Sequence, residues 1–296
     1  MQQPFALPSF AKVNLHLRVL GKRSDGFHEL CTIFQTISLS DVLTFREADS
    51  LQMTCSDPTI PVDGGNLVIR AAQLLGARGG VDRGAHIHLQ KNIPSPGGLG
   101  GGSSNAAVAL IGLERLWDLN IPAAELRLIA AELGSDVPFF LLGGTALGTG
   151  RGEVLEHIDD REVPYMLIVT PDVIVPTPKA FADLNAPNLT LEDSKRILRV
   201  CRKEADSLDL HHSVLINDFE RSVFAAFPEI GEVKRTLLSL GAVSALMSGS
   251  GASVFAVFDK EETRQAAIKA LDIRSTWRKF AVAAISRTEY REAFRR

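Results

Sequence analysis

Cysteine is scarce and scattered: Cys31, Cys55 and Cys201 are the only three in 296 residues. Their odd number and wide spacing argue against a disulfide framework and form no metal-type cluster, which suits a reducing compartment. Long hydrophobic runs are missing too. No apolar stretch approaches the ~18 residues that a membrane-spanning helix needs. The first eight residues, Met1 to Pro8, hold no basic region followed by an apolar core, so no signal peptide is expected. A cytoplasmic protein without a membrane segment is the expectation. Neither sign of charge dominates: 32 Lys and Arg stand against 35 Asp and Glu, a net charge of −3, so nothing calls for nucleic acid or an anionic membrane as partner. Heptads, tandem repeats and low-complexity tracts are absent. So are a GxSxG elbow, a cysteine in a catalytic motif, and a Walker A or Rossmann fingerprint. What remains is ordinary globular composition, 45% hydrophobic and 23% charged, long enough for two domains or one large one.

Glycine is where the chain is rich. Pro94-Ser95-Pro96-Gly97-Gly98-Leu99-Gly100-Gly101-Gly102-Ser103-Ser104 packs five glycines into six positions. Glycine frees the backbone for left-handed conformations and removes side chains that would block a close ligand. An apolar run follows at once, with Ala107, Leu110, Ile111 and Trp117 on one helical face. Ser103 or Ser104 can cap that helix. A flexible loop feeding a helix N-terminus presents unpaired N–H groups and the positive end of the dipole, which suits phosphate. A second glycine-rich turn, Ser248-Gly249-Ser250-Gly251, precedes a strand in the other half of the chain. Two such loops in separate halves suggest a ligand clasped between lobes.

Periodicity predicts strands over 9–20, 32–37, 42–46, 51–54, 85–90, 154–158, 165–169, 254–258 and 280–285. Helices are expected over 66–75, 123–133, 179–184, 191–203, 219–227, 230–240 and 261–271, with a short one after Ser135. Asn66 stands near a helix start, Gly79-Gly80 and Gly134 at helix ends, and 146–152 is glycine-rich again. Composition turns charged at 159–162, so domains of 1–160 and 161–296 are expected, both α+β.

Few side chains outside the glycine loops point to chemistry. Lys12 and Asn14 share the polar face of the first strand with His16 and Arg18, opposite Ala11, Val13, Leu15, Leu17 and Val19. A cation beside an amide could hold an anionic or hydroxyl-bearing ligand, although local sequence alone describes a solvated strand face. Asp136 follows Gly134-Ser135 and precedes Pro138, the pattern of a helix cap. A carboxylate fixed there could also orient a substrate hydroxyl and take its proton. His86 and His88 alternate with Ile87 and Leu89 and are expected on an exposed strand face. His211-His212 has no partner at ligand spacing, and no metal site in the protein itself is expected.

Taken together, Phe10-Ala11-Lys12-Val13-Asn14-Leu15, Pro96 to Ser104 and Met247-Ser248-Gly249-Ser250-Gly251-Ala252 resemble, in order, the three motifs of the GHMP kinase superfamily. Gly26-Phe27-His28-Glu29, Gly134-Ser135-Asp136-Val137-Pro138 and Pro176-Thr177-Pro178 resemble the branch whose acceptor is a methylerythritol unit carried on cytidine diphosphate. The glycine motifs are shared with mevalonate- and homoserine-type kinases, so those remain alternatives, as does a non-catalytic nucleotide-binding protein on the same scaffold. The resemblance implies an α+β, two-lobed GHMP kinase fold, with a ribosomal protein S5 domain 2-like N-terminal lobe and a ferredoxin-like C-terminal lobe. It implies transfer of the ATP γ-phosphate, with Mg²⁺, to the acceptor 2-hydroxyl in the non-mevalonate route to isoprenoid precursors, by a monomer or homodimer. Lys12 and Asp136 match the catalytic pair. The loop from Pro94 to Ser104 matches the ATP site, and Ser248 to Gly251 the C-terminal glycine motif. Phe27, His28 and Phe181 match the positions around the cytosine, Asn14 and Thr177 other substrate contacts. Two departures stand out: Phe27 replaces a usual tyrosine, and Ser95-Pro96 replaces a usual Met-Gly before the glycine run.

Overall fold

The polar turn after Gly21 folds the first strand back on its successor. β1 (Phe5–Lys22) and β2 (His28–Ala48) form a long antiparallel hairpin with Phe5 opposite Phe45 and Lys22 opposite His28. The computed structural model describes residues 3–189, 191–207, 210 and 215–295. Two strands were expected where β2 is continuous. The apparent gap is a bulge: Phe10 pairs with Ser40 and Ala11 with Ile37, which leaves Ser38 and Leu39 over. The C-terminal segment covers it, Ser38 donating its N–H to Ala283 and Ile285 donating to Thr36.

β3 (Gln52–Cys55), α1 (Leu67–Gly79), β4 (Gly84–Gln90), α2 (Gly101–Leu116), α3 (Ala123–Leu133), α4 (Phe139–Leu142), β5 (Thr145–Gly150) and β6 (Val154–His157) complete the first half. The sheet runs β3-β4-β2-β5-β6, with β1 also paired to β2. Asn66 caps α1 as expected, accepting from the Val68 N–H, and Gly80 ends it in the left-handed region. His86 and His88 lie outward on β4, while Ile87 and Leu89 are buried. β5 was not expected as a strand, because its glycines read as a loop. They are there for close packing: a Cβ on Gly148 would fall 2.6 Å from the Phe34 ring. α2 runs through the middle of this half, and Ala106 to Leu110 are fully buried. Its small residues let it lie hard against the sheet, where a Cβ on Gly112 would fall 2.3 Å from the Phe45 ring.

The second half comprises β7 (Met166–Thr170), α5 (Thr177–Asp183), α6 (Leu191–Asp206), α7 (Glu220–Ala226), α8 (Pro228–Ser239), β8 (Ser244–Met247), β9 (Val254–Val257), α9 (Glu261–Ala270), β10 (Arg278–Val282) and α10 (Arg287–Ala293). Its sheet is antiparallel in the order β10-β7-β9-β8. The last strand, expected over 280–285, ends at Val282, because the chain then turns to bridge Ile37 through Ala284. Neither β8 nor α10 was expected. α10 starts with a reciprocal capping box between Ser286 and Glu289. It packs Tyr290 against the first half, where the phenol donates to the Phe140 carbonyl. His211-His212 lies outside the described residues. Among the described residues no helix is long and apolar enough to cross a membrane.

The polar face of β1 is not solvated. Lys12, Asn14 and His16 are only 3%, 2% and 2% exposed. Alternation identified the residues that share this face, but the second half of the chain covers it. Glu204 of α6 lies 3.5 Å from His16 Nε2 and 3.2 Å from Arg18. Asp218 reaches Arg18 at 3.8 Å.

Candidate active site

β1, the glycine loop and the second glycine turn meet at Lys12. Leu99 accepts a hydrogen bond from the Lys12 backbone N–H at 3.0 Å. Gly100, at φ +70°, comes so near that a Cβ would fall 3.0 Å from Lys12 Cγ and 2.8 Å from the Phe140 ring. α2 therefore starts at Gly101, inside the glycine run, with Gly100 as its cap and no side-chain capping bond. This corrects the expectation that Ser103 or Ser104 caps it. Ser104 is buried instead, its hydroxyl 2.8 Å from Ser9 Oγ. The first N–H groups of α2 have no acceptor within the helix, and Gly100 and Ser103 at this end line the cleft.

The entrance of the loop is fixed from beneath. Asp41, wholly buried on β2, accepts from the Asn92 N–H at 2.7 Å, the Ile93 N–H at 2.8 Å and Lys91 Nζ at 2.9 Å. Burial pushes the Lys91 ammonium below the usual lysine pKa, and the Asp41 charge opposes that shift.

The two glycine turns touch backbone to backbone. Ser248 Oγ donates to the Gly98 carbonyl at 2.9 Å, and the Ser253 N–H donates to Gly97 at 3.2 Å. Gly98, at φ +72°, leaves no space for a side chain: a Cβ would fall 2.1 Å from the Ser248 carbonyl oxygen. Gly98→Ala is accordingly expected to cost at least about 2 kcal/mol, left-handed strain and overpacking together. Thermal melting checks this; a variant as stable as the parent would refute the backbone contact. The second turn is held by Asn217, which the sequence analysis missed. Its Nδ2 donates to Met247 at 2.7 Å and to Gly249 at 2.8 Å, and its Oδ1 accepts from Phe219. An amide between Leu215-Ile216 and Phe219 was the available signal.

Lys12 Nζ lies 2.5 Å from Asn14 Oδ1 and 3.4 Å from Asp136 Oδ2. The Asn14 amide is oriented by Thr32, whose hydroxyl accepts from Nδ2 at 2.7 Å and donates to the His16 carbonyl at 2.8 Å. Asp136 caps no helix. α4 begins after Pro138 without a side-chain bond, which leaves the carboxylate in the preceding turn, directed at Lys12 and partly open to the cleft.

At the other end of the cleft, the His28 ring stacks on Phe181, with centroids 4.9 Å apart, and Phe219 meets Phe181 edge-on. No base fits between His28 and Phe181 as they stand. Burial, with the Lys22 charge, lowers the His28 pKa below its usual value, which favours the neutral imidazole. Phe27 is half exposed under the Arg151 guanidinium. Thr177 Oγ1 and Ser250 Oγ are 2.9 Å apart.

These groups line one cavity of about 720 Å³. It brings together Lys12, Asn14, Asp136, Gly98, Gly100 and Ser103 with Phe27, His28, Thr177, Phe181, Gly249 and Ser250. The remaining expected loop residues, Pro94, Ser95, Pro96, Gly97, Leu99, Gly101, Gly102 and Ser104, lie outside the lining, as do Ser248 and Gly251. Pro94 and Leu99 are packed into the protein. Arg151 and Thr32 line the cavity and were not foreseen. Among the described residues no group of three or more His, Cys, Asp or Glu side chains could hold a metal ion.

Comparison of the sequence with family profiles places this architecture among the GHMP kinases. The family profile for the GHMP kinases N terminal domain matches residues 66–144, and that for the GHMP kinases C terminal domain matches 197–275. A relative from Syntrophotalea carbinolica, named 4-diphosphocytidyl-2-C-methyl-D-erythritol kinase, is 40% identical over 93% of this chain and 97% of its own. One of the same name from Chlorobaculum tepidum is 40% identical over 92% and 94%. The crystal structure of a 4-(cytidine 5'-diphospho)-2C-methyl-D-erythritol kinase superposes with a TM-score of 0.77 at 34% identity, covering 95% of this chain and 99% of that one. A homoserine kinase from Cytophaga hutchinsonii, at 21% identity and a TM-score of 0.70 over 97% and 96% of the chains, shares the fold. The chain belongs to the 4-diphosphocytidyl-2-C-methyl-D-erythritol kinase family. ATP is the co-substrate that this class of kinase uses.

Proposed function

We propose that the chain transfers the γ-phosphate of ATP to the 2-hydroxyl of 4-diphosphocytidyl-2-C-methyl-D-erythritol, with Lys12 and Asp136 at the point of transfer. The observation that carries this is their 3.4 Å ion pair in the cavity that joins the glycine loops to the aromatic end. In this reading the triphosphate lies along the loop from Pro94 to Ser104 and against the start of α2, where backbone N–H groups meet its oxygens. Asp136 accepts the proton of the acceptor hydroxyl. The hydroxyl oxygen then bonds to the γ-phosphorus as the bond to the bridging oxygen breaks, and ADP leaves. Lys12, kept in place by Asn14, offsets the charge on the phosphoryl oxygens. Hard oxygen donors are present for Mg²⁺, the Ser103 hydroxyl and the Asp136 carboxylate. When bound with ATP, the ion would neutralise part of the triphosphate charge.

Cytosine enters between Phe27 and Phe181, and His28 turns from the Phe181 face to meet its edge. Thr177, tied to Ser250 of the second glycine turn, contacts the substrate from the opposite side. The division into domains at 160 and 161 is supported by the interval between the first sheet, ending at His157, and the second, opening at Met166.

The test is a competition between acceptors. With ATP, the cytidine-containing substrate is expected to be phosphorylated and cytidine to compete with it, while mevalonate and homoserine remain unreacted. Phosphorylation of either of those without binding of cytidine would overturn the proposal.

A further inference from the structure

We propose that Arg151 binds the diphosphate of the cytidine-diphosphate substrate, and so sets the register between base and acceptor hydroxyl; this rests on the substrate reading above. A nucleoside-diphosphate-linked acceptor has three parts in a row: a base, two phosphates and the reacting alcohol. The aromatic end of the cavity suits the first and Asp136 the last, so the phosphates must cross the space between. The turn that carries Arg151 reaches across that interval. Its guanidinium carbon is 4.8 Å from the Phe27 ring centroid. A Cβ on Gly152, the next residue, would fall 3.8 Å from Asp136 Oδ1. One turn, between β5 and β6, therefore touches both ends of the cavity.

Charge points the same way. Lys12, Lys22 and Arg151 are the cations that line the cavity, against the single carboxylate of Asp136. Lys12 is engaged by Asn14 and Asp136. Lys22 pairs across the hairpin with His28, at the base end. Arg151 is the cation left for the middle, and a guanidinium suits phosphate because its planar fork donates two parallel hydrogen bonds. The fork is also held ready. Glu153 accepts from the Arg151 N–H at 2.6 Å and from Nε at 3.4 Å, which orients the side chain through its stem. Among the described residues the two terminal nitrogens have no hydrogen-bond partner, so they are available to phosphate oxygens. The Phe27 face beneath the guanidinium fixes the approach without using a donor.

The experiment is calorimetric titration of the parent, Arg151→Gln and Arg151→Lys with two probes, cytidine and cytidine diphosphate. Circular dichroism and melting verify that each variant is folded. In the parent, cytidine diphosphate is expected to bind more tightly than cytidine, and more weakly as salt rises. Arg151→Gln should weaken cytidine diphosphate about tenfold or more and leave cytidine within about twofold, with Arg151→Lys between. Equal weakening of both probes would mean that Arg151 only props Phe27, and would overturn the proposal. So would unchanged binding of cytidine diphosphate. Failure of the parent to bind cytidine would instead overturn the base-site reading, and this proposal with it.

Discussion

Replacing Asp136 with asparagine is expected to lower turnover about 10²–10⁴-fold, the usual contribution of a positioned acid or base, while ATP binding stays within about twofold of the parent. Asparagine keeps the shape of the side chain and an acceptor oxygen for Lys12, so the 3.4 Å contact need not collapse. What it loses is the charge and the ability to take a proton. In the proposed mechanism other parts hold the nucleotide, the backbone of the glycine loop and the start of α2, and Asp136 caps neither of the helices that begin nearby. Single-turnover kinetics beside a nucleotide titration separate the two effects. Lys12→Met should slow the reaction too, and the double variant should be little slower than the worse single one, because groups acting on one transition state lose their effect together. Unchanged turnover in Asp136→Asn would remove this carboxylate from the mechanism.

The second large effect falls on stability. Asp41→Ala is expected to cost about 3–5 kcal/mol, as breaking one side of a buried ion pair does. Asp41 is fully buried and answers three donors at once, the Asn92 and Ile93 N–H groups and Lys91 Nζ. Without it the Lys91 ammonium, 5% exposed, keeps only the Ile93 carbonyl. Two N–H groups just before Pro94 lose their acceptor as well, so the glycine loop is freed at its entrance. The shift in denaturant midpoint gives the magnitude. Asp41→Leu with Lys91→Met should recover much of the loss, since an apolar pair of similar volume removes the stranded charge. A cost below about 1 kcal/mol for Asp41→Ala would show that the pair does not anchor the loop.

Much of the site was legible because its parts are local. Glycines before an apolar helix announce a close backbone approach wherever they occur, and Gly98 and Gly100 sit in left-handed conformations against Ser248 and Lys12. Lys12 and Asn14 could be paired because side chains two apart on a strand share a face. Their burial could not be seen, since it comes from Gly100 of the first glycine loop and Gly249 of the second turn, brought over by the fold. Asp136 resembled a cap because capping is a local pattern; its partner Lys12 is 124 positions away. The glycines of β5 hid a strand for a related reason, as they answer to Phe34 across the sheet rather than to a turn. Asn217 and Arg151 matter through what they meet, the carbonyls of the second turn and the ring of Phe27, and neither belongs to a motif that stands out in its own segment.

In the proposed mechanism one cavity aligns ATP and a cytidine-diphosphate acceptor on the Lys12–Asp136 pair. A crystal structure with a non-hydrolysable ATP analogue and 4-diphosphocytidyl-2-C-methyl-D-erythritol bound together tests it most directly. The expected result is the 2-hydroxyl within hydrogen-bond distance of Asp136, the γ-phosphate beside Lys12, and the base between Phe27 and Phe181. An acceptor hydroxyl directed away from Asp136, or a base outside the aromatic end, would contradict it.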